Sequence, residues 1–393
     1  MTTSQRPVIT SVSGPSQVFQ VLRDGRSKSL AELALLSGLS RSTVRERLFQ
    51  LVSTGLVGQT SEAHSTGGRP GRRMALIPDA RVVLAVDLGA SHMRMALVDL
   101  LNRPLTTYEE PIDITNGPEA VLQRVMGRAD ALLERVGRPR ADLLAVGLGV
   151  PGPVHFSTGR PSRPPLMPGW DDFDIPSWFR QHLEAAVLVD NDVNIMALGE
   201  HSRLPRKTKH FMLVKVATGI GAGIISEGEL QRGAQGIAGD IGHVHVPSAH
   251  GVLCHCGNEG CLEAVASGPP VARKLSRAGV HTAADVVRLV DEGDLQAIQA
   301  VRQAGRDLGE VLSACISMLN PEVIAIGGRM AGAGEHLLAG VREVVYQRAM
   351  PLATRNLDIH TAQVPVESGL IGAGLLALQE VLSPGSVDAL CES

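Results

Sequence analysis

The chain has 393 residues, of which 44% are hydrophobic and 20% are charged. This length allows two or three domains with large cores, so a disulfide-stapled miniprotein is excluded. No apolar run approaches the roughly 20 residues needed to cross a bilayer, and residues 1–7 are polar, unlike the start of a secretory signal. We therefore expect a cytoplasmic protein that has no membrane partner.

Charge is distributed unevenly along the chain. Residues 1–78 carry ten Lys or Arg and four Asp or Glu, a net charge of +6, whereas the remainder carries 27 and 36, a net charge of −9. A basic head on an acidic body predicts that the head binds a polyanion while the body has another function. Aromatic residues make up only 3%, which argues against a stacking platform for single-stranded nucleic acid.

Three short helices are predicted in the basic head. The first begins near Val18, the second covers residues 30–36 and ends at Gly38, and Ser40 is a suitable N-cap for the third. The third helix has an apolar face made of Val44, Leu48, Leu51 and Val52. Its other face begins with Arg41, Ser42, Thr43 and Arg45. This layout predicts a helix-turn-helix whose third helix enters the major groove of operator DNA.

A hairpin wing is predicted after the third helix. Residues 56–58 begin a strand, residues 65–73 form a glycine-rich tip and residues 74–77 resume the strand. Arg69, Arg72 and Arg73 are available to neutralise phosphates or to enter a narrow minor groove. The alternative is a small helical interaction domain with a solvated basic loop. Helix order, cap, turn, wing and charge together favour DNA binding.

Three strands that run into glycine turns organise the body. They lead into residues 87–91 (Asp-Leu-Gly-Ala-Ser), 218–223 (Thr-Gly-Ile-Gly-Ala-Gly) and 327–328 (Gly-Gly). A carboxylate beside such a turn can hold Mg²⁺ next to backbone N–H groups that bind phosphate. Any one turn alone is better interpreted as an ordinary hairpin or βα turn. Three of them separated by helices predict two α/β lobes that face a nucleotide cleft.

Residues 190–194 (Asp-Asn-Asp-Val-Asn) close one buried strand and open a helix. Carboxylates and amides at the carboxyl end of a strand are where α/β sheets place ligands. Asp and Asn are also favoured N-caps whatever the function. The pattern by itself supports the ligand-binding interpretation and the N-cap interpretation equally.

The strongest chemical signal is a histidine followed by three cysteines: His243, Cys254, Cys256 and Cys261. Three thiolates and one imidazole make a complete tetrahedral set for Zn²⁺, and four protein ligands leave no position for a reacting water. The sequence therefore predicts structural zinc. Reduced, buried cysteines without metal are the alternative, and the spacing leaves His245, His250 and His255 open as competing ligands.

Together these motifs resemble the ROK family (repressor, open reading frame, kinase), specifically its members with an N-terminal winged helix. The resemblance spans nearly the whole chain and includes residues 67–70, 87–89, 149–153, 168–170 and 238–243 besides the cysteine motif. It implies an α/β fold with a winged helix-turn-helix at residues 1–78 and a two-lobed, actin-like hexokinase-type domain at 79–393. The small lobe would cover about 79–190 plus a C-terminal helix and the large lobe about 191–370, in homodimers or homotetramers.

The resemblance also assigns roles to residues. It implies that Asn191 and Glu263 contact sugar hydroxyls, that Asp192 resembles the general base of the family's kinases, and that His243 uses one ring nitrogen for zinc and the other for sugar. It also implies a sugar-binding position for Asp240, which is one methylene shorter than the family's Glu, so the hydrogen bond to the sugar would be lost, mediated by water or retuned to another sugar. The nucleotide site would comprise Asp87, Gly89, Ser91, Thr218, Gly219, Gly221, Gly327 and Gly328. Ala90 departs from the kinase turn by adding a Cβ where backbone approaches phosphate.

Two functions compete. The first is a sugar-responsive, DNA-binding transcriptional regulator, with repression as the favoured direction. The second is an active hexose kinase, which would add Mg²⁺ and ATP as cofactors and also carry the DNA-binding head. The head and the departure of the phosphate turn at Ala90 favour the regulator. We further expect the helix that begins near Gly369 to pack towards the small lobe, and the tail around Cys391 to fray.

Overall fold

The computed structural model describes residues 14–60, 72–204, 208–364 and 367–392. These residues form a small N-terminal head and two α/β lobes, each built on a five-stranded sheet. The predicted fold class is therefore confirmed. The domain boundary at residue 78 stays a prediction, although the last strand of the head ends at Leu76 and the first sheet of the body starts at Val82.

Local capping signals set the helices of the head. Ser29 forms a capping box with Glu32, Gly38 ends the second helix at φ 74°, and the Ser40 side chain accepts the N–H of Thr43. The helices are α1 (Ser16–Leu22), α2 (Leu30–Ser37) and α3 (Arg41–Ser53), and the strands are β1 (Lys28–Ser29), β2 (Val57–Thr60) and β3 (Arg73–Leu76). The three strands form a sheet in the order β1, β3, β2.

The helix-turn-helix with a hairpin after it is thus confirmed in the head. Residues 61–71 of the wing, with Arg69, lie outside the described residues. One expectation for α3 is wrong: Val52 does not join the buried face, since 44% of it is exposed, whereas Val44 and Leu51 are fully buried. The helical spacing of Val52 is right, but its position on the helix leaves the side chain partly outside the buried face.

The strands of the small lobe are β4 (Val82–Leu88), β5 (His92–Val98), β6 (Pro104–Pro111), β7 (Leu143–Val150), β8 (Val154–His155), β9 (Arg160–Pro161) and β10 (Ala186–Asn191), with helices α4 (Pro118–Arg135) and α5 (Ile175–Arg180). Five of these strands form a mixed sheet in the order β10, β7, β4, β5, β6. Strands β4, β5 and β6 are antiparallel neighbours, β7 lies parallel to β4, and β10 lies parallel to β7. Strands β8 and β9 form a separate hairpin.

The large lobe repeats this arrangement. Its sheet has the order β13, β12, β11, β14, β15, again with three antiparallel strands followed by two parallel ones. The strands are β11 (Phe211–Val216), β12 (Ile220–Ser226), β13 (Glu229–Gln231), β14 (Val323–Gly327) and β15 (Asp358–Thr361). Two lobes with one topology place the carboxyl ends of β4 and β11 at corresponding positions, where α/β sheets bind ligands.

Two helices form the junction between the lobes. Helices α6 (Asp192–Arg203) and α13 (Ser368–Val381) approach each other so closely that a Cβ on Gly372 would lie 1.6 Å from the Ile195 carbonyl oxygen. Helix α13 also packs on β4 and β7 of the small lobe, as expected. The remaining helices are α7 (Glu263–Ala266), α8 (Gly268–Lys274), α9 (Ala283–Asp291), α10 (Leu295–Leu319), α11 (Glu335–Arg348), α12 (Pro351–Thr354) and α14 (Pro384–Glu392).

The C-terminal segment does not fray as expected. It forms α14, which packs against α1 of the head. The Asp388 carboxylate accepts hydrogen bonds from the backbone N–H and the hydroxyl of Ser16, at 2.8 and 2.7 Å. One hydrophobic cluster includes Phe19 of the head, Val83 of the small-lobe sheet and Leu376 of α13. The head and the body therefore share a core.

No single helix in the described ranges is both long and apolar enough to span a membrane. Helices α13 and α14 reach that length and apolar content only when taken together, and the chain bends by 54° between them.

Candidate functional site

The start of α3 presents the residues expected to face DNA. Arg41, Ser42 and Arg45 are exposed, and neither arginine makes an ion pair within the described ranges. The hydroxyl of Ser40 lies 2.7 Å from that of Ser42 and 2.9 Å from that of Thr43. The helix thus begins with three clustered hydroxyls and two cations that have no ion-pair partner in the described ranges, a set suited to phosphate and base edges.

The arginines of the wing have different surroundings. Arg72 is exposed, whereas Arg73 donates to the Ser27 carbonyl at 2.7 Å and pairs with Glu32 at 3.0 Å. Arg73 therefore fastens the wing to the start of α2. Its predicted role towards DNA stays a prediction, and it would require exchanging these partners.

The four predicted metal ligands come together. Their ligand atoms all lie within 4.8 Å of one another, with Cys254 Sγ 3.6 Å from His243 Nδ1 and Cys256 Sγ 3.7 Å from Cys261 Sγ. Tetrahedral zinc with Zn–S bonds of about 2.3 Å requires sulfur atoms about 3.8 Å apart, so the cluster fits this ion. Burial raises the pKa of Cys261 to about 12. A bound cation would offset that burial and hold the sulfur as a thiolate.

The competing histidines lie outside this cluster. His245 packs against Gly260, where a Cβ would come within 2.2 Å of the ring. His250 lies 3.7 Å from the Glu259 carboxylate. The alternative ligands left open by the spacing are therefore not brought to the three cysteines.

The two ring nitrogens of His243 face different groups. Its Nδ1 faces Cys254, while its Nε2 lies 3.9 Å from Oδ1 of Asp240, which is exposed. This distance exceeds that of a hydrogen bond. A metal on Nδ1 would fix the proton on Nε2, leaving an N–H donor directed towards Asp240.

Glu263 connects the cysteine segment to the second glycine turn. Its Oε2 accepts the N–H of Ile220 at 2.9 Å, and a Cβ on Gly219 would lie 2.6 Å from that oxygen. Thr218 of the same turn is exposed. A predicted sugar contact and a predicted phosphate turn are therefore direct neighbours.

Asn191 is the N-cap of α6 and directly precedes Asp192. Its Oδ1 accepts the N–H of Val193 at the start of α6, and its Nδ2 donates to the Gly152 carbonyl, both at 2.9 Å. The two interpretations that the sequence left even are thus compatible, because the cap orients the amide beside Asp192.

Asp192 is buried and forms an ion pair with Lys215 of β11. Burial raises the pKa of the Asp192 carboxyl, and the charge of Asp87 adds to this, against the attraction of Lys215. Burial also opposes the charge of Lys215, but the attraction of Asp192 and Asp87 outweighs it and raises the pKa of the ammonium group. Sequence reasoning missed Lys215, although it is the one charged residue in the apolar strand that leads to the second glycine turn.

The first glycine turn is crowded by a side chain. The His92 ring packs on Gly89, where a Cβ would come within 2.1 Å of it, and His92 Nε2 lies 3.7 Å from Asp87. Burial opposes ionisation of Asp87, but His92, Lys215 and Arg94 outweigh it and lower its pKa. Ser91 of this turn is exposed.

The third glycine turn lies beside β11. Gly328 has φ 81°, and a Cβ there would lie 2.5 Å from the Val216 carbonyl oxygen. Gly327 pairs with Lys215 in the sheet. All three predicted nucleotide turns therefore meet near Lys215, but their binding role stays a prediction.

A second ion pair that sequence reasoning missed joins the two lobes. Arg232, after β13, donates to Asp190 at 2.7 Å and stacks on the Phe156 ring with its guanidinium 3.7 Å from the ring centre. The other Asp190 oxygen accepts the Asn191 N–H at 2.8 Å and the Asn194 amide at 2.7 Å. A lone arginine after a short strand carries no sequence signal for this role.

The fold and the cleft define a two-lobed, kinase-type domain joined to a DNA-binding head. The sequence model of the ROK family matches residues 83–380. This chain belongs to the ROK family. Residues 16–61 match the IclR helix-turn-helix domain.

Known proteins that resemble the chain include a glucokinase and a xylose repressor. The glucokinase of Halalkalibacterium halodurans is 31% identical over 76% of this chain and 96% of its own length. The xylose repressor of Caldicellulosiruptor bescii is 26% identical over 93% of this chain and 95% of its own. The crystal structure of a ROK family transcriptional regulator, a homologue of the E. coli MLC protein, has the same fold, with a TM-score of 0.81, 22% identity and coverage of 96% and 98%.

Proposed function

We propose that this protein is a sugar-responsive transcriptional repressor whose head binds operator DNA and whose cleft binds a sugar or sugar derivative. The observation that carries this proposal is the combination, in one chain, of a kinase-type fold with a helix-turn-helix whose exposed arginines make no ion pair among the residues that the structure describes. The similarity to a xylose repressor over 93% of the chain supports it, since that similarity includes the head. Operator DNA as the partner would place the protein in the cytoplasm.

The sugar would bind among Asn191, Asp192, Asp240, His243 and Glu263. Asn191 and Glu263 have fixed orientations because each already holds a backbone group of the cleft. The His243, Cys254, Cys256 and Cys261 cluster would hold structural zinc. That ion would supply a fixed imidazole tautomer, and His243 would then donate Nε2–H to a sugar hydroxyl.

A change in the cleft can reach the head through the shared core. Helices α6 and α13 lie between the lobes, α14 follows α13, and α14 packs on α1. In a homodimer or homotetramer, movement of this helix chain would alter the spacing of two heads. Half-site spacing on DNA is fixed by the helical repeat, so altered spacing would release the operator.

The test is operator binding in the presence of sugars. DNA fragments that bind the purified protein would be selected from genomic DNA and measured by fluorescence anisotropy with hexoses, N-acetylhexosamines, pentoses and their phosphates. We expect one of these to weaken binding by roughly tenfold or more, a coupling of about 1.4 kcal/mol. Operator binding that none of them alters would contradict the proposal.

Hexose kinase activity is the second candidate, favoured by the similarity to a glucokinase and by the raised pKa of Asp192, as suits a general base. ADP release with Mg²⁺ and ATP would be measured over the same sugars. Turnover that Asp192→Asn abolishes, with sugar affinity kept within about tenfold, would assign this activity. No turnover in folded protein would leave the repressor alone.

A further inference from the structure

Lys215 lies where the glycine turns converge. It pairs with Gly221 on β12 and with Gly327 on β14, so its strand is flanked by both turns of the large lobe. The other residues of β11 are Phe211, Met212, Leu213, Val214 and Val216, all buried and apolar. A single ammonium group therefore enters the cleft from the centre of this sheet.

The ammonium group of Lys215 interacts with two carboxylates that come from different elements of the fold. Lys215 pairs directly with Asp192 at the start of α6, and it attracts Asp87 at the end of β4 in the small lobe. Asp87 is 5% exposed and Asp192 is 4% exposed. Two carboxylates so deeply buried require a compensating charge, and Lys215 supplies it from the protein itself.

Further positive and bulky groups occupy the small-lobe side. Arg94 lies 4.0 Å from Asp87, and the His92 ring lies on Gly89 at 3.7 Å from the same carboxylate. A divalent cation needs an oxygen-rich shell and is repelled by a fixed ammonium group in a medium of low dielectric constant. These residues do not fit the Mg²⁺ that would accompany a nucleotide at this end of the cleft.

We propose that Lys215 is a specificity-determining residue that takes the place of a nucleotide-bound divalent cation, so that the cleft excludes metal-bound nucleoside triphosphate. This inference goes beyond the proposed function, since a repressor could respond to sugar with or without a nucleotide site. It follows that removing the ammonium group leaves two buried carboxylates whose remaining charge favours a divalent cation.

The experiment uses the full-length, zinc-loaded protein and two probes. Mn²⁺ binding is measured from the loss of its free electron paramagnetic resonance signal, and binding of Mn²⁺ with a non-hydrolysable ATP analogue is measured by calorimetry. We expect Lys215→Met to bind both probes at least roughly tenfold more tightly than the wild type. The matched control Lys215→Arg keeps the charge and should bind them as weakly as the wild type.

A second variant separates the charge from the contact. Asp192→Asn breaks the ion pair but keeps the ammonium group, so it should gain no Mn²⁺ affinity.

Lys215→Gln replaces Lys215→Met in the experiment if Lys215→Met unfolds at a much lower temperature than the wild type. Zinc content and thermal unfolding are the checks of folding. Wild-type protein that binds Mn²⁺ and the nucleotide as tightly as folded Lys215→Met or Lys215→Gln overturns the proposal. Sugar-dependent release of DNA would be unaffected by that result, so the two failures are distinguishable.

Discussion

The start of α3 in the head and the cleft of the body use charge in opposite ways. Arg41 and Arg45 are exposed and make no ion pair among the described residues. In the cleft, Asp190 is paired with Arg232 and Asp192 with Lys215. The head therefore presents charge to a partner outside the chain, whereas the cleft holds its charges in fixed internal contacts. Substitutions in the cleft should reduce stability, and those at the start of α3 should reduce binding alone.

The largest effect is expected from the cysteine cluster. Cys256→Ser removes one of the four proposed zinc ligands, so we expect loss of zinc, a fall of about 4 kcal/mol in the free energy of unfolding, and loss of the sugar response. Elemental analysis and denaturant unfolding would measure these changes. Cys391→Ser, a thiol outside the cluster, is the control. Full zinc content in Cys256→Ser would contradict the assignment of this ligand.

A smaller but still large loss is expected at the Arg232 pair. Arg232→Ala leaves the Asp190 carboxylate buried without its cation, which should lower the free energy of unfolding by about 3 kcal/mol. It should also weaken sugar binding, because Asp190 holds the backbone N–H of Asn191. Denaturant unfolding and sugar titration would measure the two effects.

The matched control for Arg232→Ala is an exposed ion pair in the small lobe. Arg140→Ala breaks the contact with Asp130, and such pairs contribute less than about 1 kcal/mol. Arg232→Lys keeps the charge but loses the stacking on Phe156, so its loss should be intermediate. If Arg232→Ala cost no more than Arg140→Ala, the contrast between cleft and surface charges would fail.

The same difference explains what the sequence could predict. The helices of the head were predicted because their signals are local: Ser40 caps its own helix and Gly38 ends the one before it. The cluster of possible metal ligands was predicted because three of its four residues lie within eight residues of sequence. Both sets depend on chain neighbours, which a sequence displays directly.

The rest of the site depends on contacts between distant segments. Lys215 reaches Asp192 across 23 residues, and Arg232 reaches Asp190 across 42. The expected fraying of the C-terminus was wrong because Asp388 meets Ser16 across 372 residues. Local composition gives no signal for such pairs, since they exist only once both lobes have folded.

A loss of DNA binding without a loss of stability is expected at α3. Arg45→Ala should weaken operator binding by about 2 kcal/mol and leave the melting temperature unchanged, because the side chain is exposed and unpaired. Fluorescence anisotropy and thermal unfolding would test this, with the exposed Arg103→Ala in the body as control. An equal loss on unrelated DNA would assign Arg45 to phosphate, and a lower melting temperature would break the comparison between head and cleft.

The smallest effect is expected where the head meets the body. Asp388→Ala removes the acceptor for the N–H and hydroxyl of Ser16, so the head should lose about 1 kcal/mol of stability, while Asp388→Asn, which keeps one acceptor oxygen, should lose less. Hydrogen exchange would locate the change: amides of α1 should exchange faster, and those of β11 should not. Faster exchange in both would mean that head and body unfold as one unit. In that case α14 would be part of a single cooperative core, and movement of the head on the body could not explain release of the operator.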